Sequence, residues 1–510
     1  MPGKYAVPEE IRAMRPSGTV VKRQGDNFYV YKTKSTSVKV QDEDGRWRWK
    51  SVTKSGACIG KIVPGEGYVP NGERTYEGEV TTFRYGAYEF VTARSEGVLE
   101  ALRGTFDRRD AVRIYCLACQ FVVLRMQRTR DVARRHEASL LAPLYPDVTL
   151  GKDALARLYE SLGERAGLQT RFQQRLVDAS SGRVAVDGHA VACSSERNPL
   201  SAWGHRHRKL GTPQLNWIAA YDVRKGRPLC NEMLCGNVPD CSAFEALLGR
   251  FSFSGTLFLV DRGLDTDADK ALMTEDGNSY ICPMVPGRKD YQGVYDRFKV
   301  DHRRFFVYDK EGGASVIYYR VFVEDGVRRV CYVDSTMAGA ERATYARKLA
   351  EGKPGYTAEG LAEAEKDFGL LVLECSDATM SPREIFEAYK ERWSIETFYD
   401  YVKHELAFEK LYQQDHCRTQ GLAFVVQVAG MVHAEASASL AGTGVSFSDA
   451  VDVLSDVMLA RERGGLRLRN VTKDVRALCD KIGLSLSHGV ERVAEIERVA
   501  KLEREAGLAS

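Results

Sequence analysis

Period-two and helical hydrophobic patterns take turns along this chain of 510 residues, and their changeovers divide it. Over residues 1–75, strand-favouring runs at 27–32, 37–40 and 46–50 are separated by the Gly25-Asp26 and Asp44-Gly45 turns, which predicts a β-rich amino-terminal domain. From 76 to 180 the spacing lengthens, and the runs 98–102, 111–125 and 154–162 repeat at helical period. Residues 181–275 mix the two patterns. Val184 and Val186 mark a short strand, 214–221 and 228–234 two more, and 244–251 a helix. The apolar run 256–260 has the character of a strand buried on both faces. Between 276 and 368, strand-like segments at 279–285, 304–308, 315–323 and 328–334 are broken by Asp-Gly and Gly-Gly turns, which predicts a β-rich insertion. Helical stretches at 341–349 and 358–367 follow, and a buried strand at 369–375 opens the segment 369–440. Residues 441–510 read as a charged, amphipathic helical tail. Helices alternating with buried strands predict an α/β core, a mixed sheet flanked by helices, over 181–275 and 369–440.

One helix carries more than packing. Residues 389–403 contain neither proline nor glycine, and Ser381-Pro382 upstream supplies an N-cap and a first-turn proline. At about 100° per residue, Tyr389, Arg392, Glu396 and Lys403 fall within an arc of roughly 60°. Ile395, Phe398, Val402 and Leu406 fall on the far side, as a stripe suited to a core. A solvated face with i,i+3 and i,i+4 charge pairs is the plain reading of such a ridge. Tyr389 and Trp393 among the charges, and two strand-terminal aspartates upstream, argue for a site.

Composition sets bounds. With 44% hydrophobic and 28% charged residues the chain is globular, and its length calls for several domains. The formal net charge is only +3, so any nucleic-acid surface must come from local clustering. The amino terminus has no apolar signal core, and no apolar run approaches the ~20 residues of a membrane span, so the expected compartment is the cytoplasm, without a membrane. Of the twelve cysteines, Cys116 and Cys119 form a C-x-x-C, but it sits in a helical apolar run with no second ligand pair, as buried thiols do.

Three basic stretches are candidates for DNA contact. Trp47, Arg48 and Trp49, between Arg46 and Lys50, read either as a nucleic-acid-binding strand with an aromatic edge or as a hairpin with a buried Trp face. His205, Arg206, Arg208 and Lys209 form a dense loop of phosphate-facing character. Arg125, Arg128, Arg130, Arg134, Arg135 and His136 read as a solvated helix end or as a backbone contact.

The chemistry lies in the acids. Asp187 follows Val184-Ala185-Val186 and precedes Gly188, and Asp261 ends the apolar run 256–260. Aspartates at strand ends lie where α/β sheets bind ligands. With Glu396 they make an oxygen donor set suited to Mg²⁺ or Mn²⁺ shared with phosphates. Asp222, Asp240, Asp265, Asp267 and Glu374 are also available.

The spacing Tyr389-x-x-Arg392-x-x-x-Glu396-x-x-x-x-x-x-Lys403 resembles the YREK signature of bacterial DDE-type insertion-sequence transposases. Asp187-Gly188 resembles the first aspartate motif of that family, Val260-Asp261-Arg262-Gly263 its second, and Gly236-Asn237-Val238-Pro239-Asp240 the turn between them. The match runs in order from about 180 to 440. It implies an RNase H-like core interrupted by the β-rich insertion, with Asp187, Asp261 and Glu396 as catalytic ligands of two Mg²⁺ ions, replaceable by Mn²⁺. It implies DNA-backbone contacts from Tyr389, Arg392 and Lys403. The implied partners are double-stranded DNA, as terminal inverted repeats and as target, and a second copy of the chain in a dimeric complex on the bacterial nucleoid. The implied reaction is cleavage at element ends and strand transfer by a 3′-hydroxyl, a cut-and-paste route with DNA hairpins as one form of intermediate. The sequence departs from the family at His189, where a threonine is usual, and in an insertion without tryptophan. The alternatives are an RNase H-like nuclease without strand transfer and a catalytically silent DNA-binding protein derived from a transposase.

Overall fold

The structure, a computed structural model, describes residues 7–41, 47–70, 81–204, 211–310, 313–324, 326–462 and 464–505. The chain divides into two compact units, Met1–Thr81 and Thr82–Ser510.

The first unit is an antiparallel sheet in the order β1 (Thr19–Gln24), β2 (Asn27–Gln41), β3 (Trp47–Val63), β4 (Gly67–Pro70). Val21, Phe28, Val30 and Ile62 bury one face together with Ile11 of a short preceding helix. Trp47, Arg48 and Trp49 lie on β3 opposite Gln41, Val40 and Lys39; their side chains fall outside the described residues.

The second unit opens on β5 (Thr81–Arg84) and a set of helices that includes α1 (Arg108–Leu124) and α2 (Lys152–Glu164). Cys116 and Cys119 are fully buried in α1, and burial pushes the Cys119 thiol up to about 12. Among the described residues neither thiol belongs to a group of three potential ligands, which leaves both as core groups.

The main sheet begins with the meander β6 (Arg183–Cys193), β7 (Gln214–Asp222) and β8 (Arg227–Cys235). Helix α3 (Asp240–Arg250) leads to β9 (Leu257–Leu259), which pairs parallel with β6, and β10 (Ser279–Pro283) pairs parallel with β9. The order β8-β7-β6-β9-β10, three antiparallel strands followed by two parallel ones, is the RNase H-like arrangement. Strands β11 (Phe305–Lys310), β12 (Gly313–Glu324) and β13 (Val327–Asp334) form a second meander, followed by α4 (Ser335–Ala350). Strand β14 (Leu370–Cys375) then pairs antiparallel with both β13 and β10, so the meander extends the main sheet. The sequence pattern places residue 276 onward in the insertion, yet β10 is a core strand. Its parallel neighbour β9 decides this, and no local pattern carries that pairing.

Helices α5 (Pro382–Glu391) and α6 (Trp393–Asp400) run on from β14, and a short strand β15 (Lys410–Leu411) adds to β6. Helix α7 (His416–Ala438) packs against β8, α1 and α2. It is long and apolar enough to cross a membrane by length and composition, although the sequence shows no run of the usual length. Here it is a core helix, 72% buried over its most apolar window. Its crossing with α2 is close: a Cβ at Gly421 would meet the Tyr159 carbonyl. Gly421→Val is therefore expected to overpack the crossing and cost about 1–3 kcal/mol, read as a lowered denaturant midpoint; an unshifted midpoint would show that the helices part freely.

The carboxyl-terminal segment is mostly helical, ending in α8 (Leu486–Glu505), but it also holds the hairpin β16 (Met458–Glu462) and β17 (Gly465–Arg469). The sequence reads as helix here because Leu466 and Leu468 alternate with arginines over only five residues. Pairing of β16 with β5 forms a three-stranded sheet and stabilises the hairpin. That pairing joins the end of the chain to the start of the second unit.

Candidate active site

Asp187 sits in the middle of β6, opposite Ala219 of β7, with buried Val184, Ala185 and Val186 leading to it. It is half-buried, and its carboxylate accepts a hydrogen bond from the Gly188 amide at 2.8 Å. Its carbonyl accepts from the Tyr399 hydroxyl at 2.6 Å, which ties β6 to α6. The His189 and Tyr399 rings lie 5.5 Å apart, so the histidine that departs from the family pattern packs on this strap.

Asp261 follows β9, beyond buried Phe258, Leu259 and Val260. It is exposed and caps a 3₁₀ turn over Arg262–Leu264, accepting from the Arg262 amide at 2.8 Å. The sequence suggests that both aspartates end strands, but β6 runs on past Asp187 to Cys193 because its second half pairs with β7. The parallel register with β9 brings Asp187 beside the carboxyl end of that shorter strand, which Asp261 follows.

The third acid is on α6. Ser381 caps α5 in a full capping box with Glu384, and Pro382 fills the first turn, as the sequence predicts. Ile395, Phe398, Val402 and Leu406 are buried as the far-side stripe requires. Phe398 meets Trp217 and Tyr221 of β7. The α-helical period stops at Asp400. Tyr401–Glu405 form a π-turn, which Leu406 closes by donating to the Tyr401 carbonyl at 3.0 Å. Lys403 lies in that turn, 3.9 Å from Asp400, so the uniform 100° projection no longer places it.

Arg392 joins the three acids. It is 8% exposed, and its Nη2 lies 2.5 Å from Glu396 Oε1. Burial opposes its charge most strongly, but Tyr389, Asp261, Glu396 and Asp187 together hold its pKa above the ordinary arginine value. One guanidinium therefore feels both aspartates and the glutamate. It also lies over the Tyr389 ring, 5.7 Å from the centroid. Burial raises the pKa of the Tyr389 phenol, Arg392 opposes the rise and Asp261 adds to it. The phenol therefore stays a neutral hydrogen-bond donor near neutral pH.

The oxygen donors suit a hard divalent cation, and the residues fit that use. They are not closed into a cage. Among the described residues, the group of acids, histidines and cysteines with ligand atoms all within 4.8 Å is Asp415, His416 and Cys417, and not the three carboxylates. Arg392 supplies the compensating positive charge instead.

The other acids are engaged elsewhere. Asp222 is fully buried and accepts from the amides of Ser181, Arg224 and Lys225. Asp265 and Glu374 share Lys270, at 2.6 and 2.8 Å, and Glu374 also holds Arg329 and the Tyr280 hydroxyl. This network braces the segment after Asp261. Asp267 stands in the first turn of a six-residue helix. Asp240 is different. It begins α3, 3.4 Å from the Asn216 amide nitrogen, and a Cβ at Gly188 would sit 3.1 Å from its Oδ1. The glycine after Asp187 thus admits Asp240 against β6, on the sheet face opposite the Asp187 side chain. Sequence reasoning offered Asp240 as a turn residue and as one of several further available acids, and missed Tyr399 altogether. The tyrosine's alignment with Phe398 toward β7 gave no separable signal.

His205, Arg206, Arg208 and Lys209 lie outside the described residues. In the cluster at 125–136, His136 is buried, and desolvation lowers its pKa to about 4. Arg134 pairs with Asp131 at 3.6 Å, and Arg125 with Glu405 at 3.4 Å, so part of this cluster serves the helix end itself.

The family model described as a transposase DDE domain matches residues 178–432, half of the chain. A solved structure similar to this chain is a cryo-EM piggyBac transposase synaptic complex with hairpin DNA. It is 8% identical over 80% of this chain and 88% of that chain, with a TM-score of 0.40. No curated protein matches the chain by sequence.

Proposed function

The chain belongs to the transposase DDE domain family, and from that premise we propose that it is an insertion-sequence transposase of the YREK type, cutting DNA at element ends and joining them to target DNA. The family is typically one of metal-dependent phosphoryl transfer. The observation that carries the finer reading is the buried Arg392, paired with Glu396 at 2.5 Å and lying over the Tyr389 ring, so that three residues of the signature meet in one cluster.

In this reading Asp187, Asp261 and Glu396 hold two Mg²⁺ ions, with Mn²⁺ as a substitute. Such ions activate a hydroxyl and stabilise a leaving oxygen. Arg392 and Lys403 neutralise the scissile and flanking phosphates, and Arg392 does so from a fixed position because Glu396 and the Tyr389 ring hold its guanidinium. Tyr389 donates a hydrogen bond to the DNA backbone. His205, Arg206, Arg208, Lys209 and the strand with Trp47, Arg48 and Trp49 extend the contact along the terminal repeats. The working form is a homodimer with paired ends, acting on the bacterial nucleoid in the cytoplasm.

The test supplies linear DNA carrying the inverted repeats that flank the gene, with Mg²⁺. Cleavage at the repeat ends is expected, and a pre-cut 3′-hydroxyl end is expected to be joined to target DNA. Cleavage without joining would assign an RNase H-like nuclease. Neither product would assign a silent DNA-binding protein.

Trp393 adds a prediction. It stands 66% exposed between Arg392 and Glu396 on the same ridge. An exposed indole beside phosphate-binding cations is suited to stacking on an unpaired base. Trp393→Ala is expected to weaken binding to ends with unpaired bases by about 1–3 kcal/mol and to leave blunt duplex binding unchanged. Fluorescence titration reads both, and an equal loss on both substrates would rule out stacking.

A further inference from the structure

A second group of ligating side chains converges far along the chain from the carboxylates. Asp415, His416 and Cys417 open α7, and one ligand atom from each lies within 4.8 Å of the other two. Cys417 Sγ is 3.3 Å from His416 Nε2. Successive residues of a helical turn point about 100° apart, so the convergence of three neighbours is not a by-product of the helix. Asp415 caps α7 by accepting from the Arg418 amide at 3.1 Å. A carboxylate has about four lone-pair sites, so the cap does not exhaust it.

Helix α2 brings more acid to the same place. Its end presses on α7 so closely that a Cβ at Gly163 would meet the Cys417 carbonyl. Glu160 is held by Arg418 at 2.9 Å, whereas Glu164 ends α2 exposed. A thiol, an imidazole and a carboxylate thus face one point, and the end of α2 that carries Glu164 presses on the same turn.

We propose that Asp415, His416 and Cys417, with Glu164 as the fourth donor, bind one zinc-class divalent ion that ties α2 to α7. Thiolate, imidazole and carboxylate are the donors that zinc takes in four-coordinate sites. The set is too soft for Mg²⁺, which separates it from the all-oxygen carboxylate site. Binding displaces the thiol proton to solvent. The ion sits where the helical part of the second unit meets the core helix that follows α6.

Titration of the full-length protein with Co²⁺ tests this. One equivalent is expected to give a thiolate-to-cobalt charge-transfer band that Zn²⁺ displaces. The band is expected to vanish in Cys417→Ser, weaken in Glu164→Gln, and persist in Asp187→Ala. Circular dichroism identifies folded variants, and either of the first two suffices. No band in the wild type, or a band undiminished in folded Cys417→Ser, overturns the site. The readout is independent of DNA cleavage, so it does not rise or fall with the proposed function.

Discussion

Glu396→Gln is expected to abolish metal-dependent cleavage while DNA binding and the fold persist. Glutamine has the size of glutamate, and its carbonyl can still accept from Arg392 Nη2, which now lies 2.5 Å from Glu396 Oε1. The neighbours Ile395 and Phe398 stay buried on the opposite face. What disappears is the full negative charge that Arg392 holds. Losing a partner one shell out from a metal costs roughly 10–100-fold. Losing a ligand outright should exceed about 100-fold. Glu396 is also within reach of substrate, with its side chain 32% exposed beside a buried arginine. A nicking assay on repeat-end DNA in Mg²⁺, paired with an electrophoretic shift, reads the two effects separately. Cleavage within a few-fold of wild type would take Glu396 out of the site. Lost binding together with lost cleavage would make its role one of folding or docking.

The ridge was legible because everything that fixes it is local. Ser381, Pro382 and Glu384 form the cap, and a 3.6-residue period places Ile395 and Phe398 against the core and Arg392 and Glu396 away from it. The apolar runs that lead to Asp187 and Asp261 were legible for a similar reason, since short apolar runs mark buried strands, but the continuation of β6 to Cys193 was not. Four other features were not. The parallel pairing of β10 with β9 joins residues more than twenty apart in the chain, and no pattern within either strand encodes it. The hairpin β16–β17 depends on β5, nearly four hundred residues away. The π-turn at Tyr401–Glu405 breaks the period that would have put Lys403 with the others, and no glycine or proline announces it. Asp240 packs against Gly188, on the face of β6 opposite the Asp187 side chain, a fact about packing in space that a turn motif does not reveal. The sequence thus shows which side chains can do chemistry. The folded chain adds the ion pair that holds the arginine to Glu396 over the Tyr389 ring.

That arginine carries the second large effect. Arg392→Met keeps an unbranched apolar stem and part of the packing of the side chain but removes its charge. Glu396 would then lose its cation, and the negative charge of Asp187 and Asp261 would go less compensated. Hydrogen bonds to a charged partner contribute about 1.5–3 kcal/mol, and Glu396 would lose its bond to Arg392 Nη2. Part of that loss is moderated by solvent, since Glu396 is a third exposed. The metal-free variant is therefore expected to melt below wild type. Divalent ions bind the same carboxylates, so Mg²⁺ should restore more stability to the variant than it adds to the wild type. Catalysis should not recover. A preorganised cation aimed at developing phosphate charge is worth about 10²–10³ in rate, and a metal that replaces the missing charge among the acids does not replace the donor facing the phosphate. Melting curves with and without Mg²⁺, alongside cleavage rates, separate the two roles. Equal destabilisation in both conditions would mean that Arg392 serves packing and not the acids. Full cleavage by the folded variant would mean that the phosphate is met by another cation on the ridge.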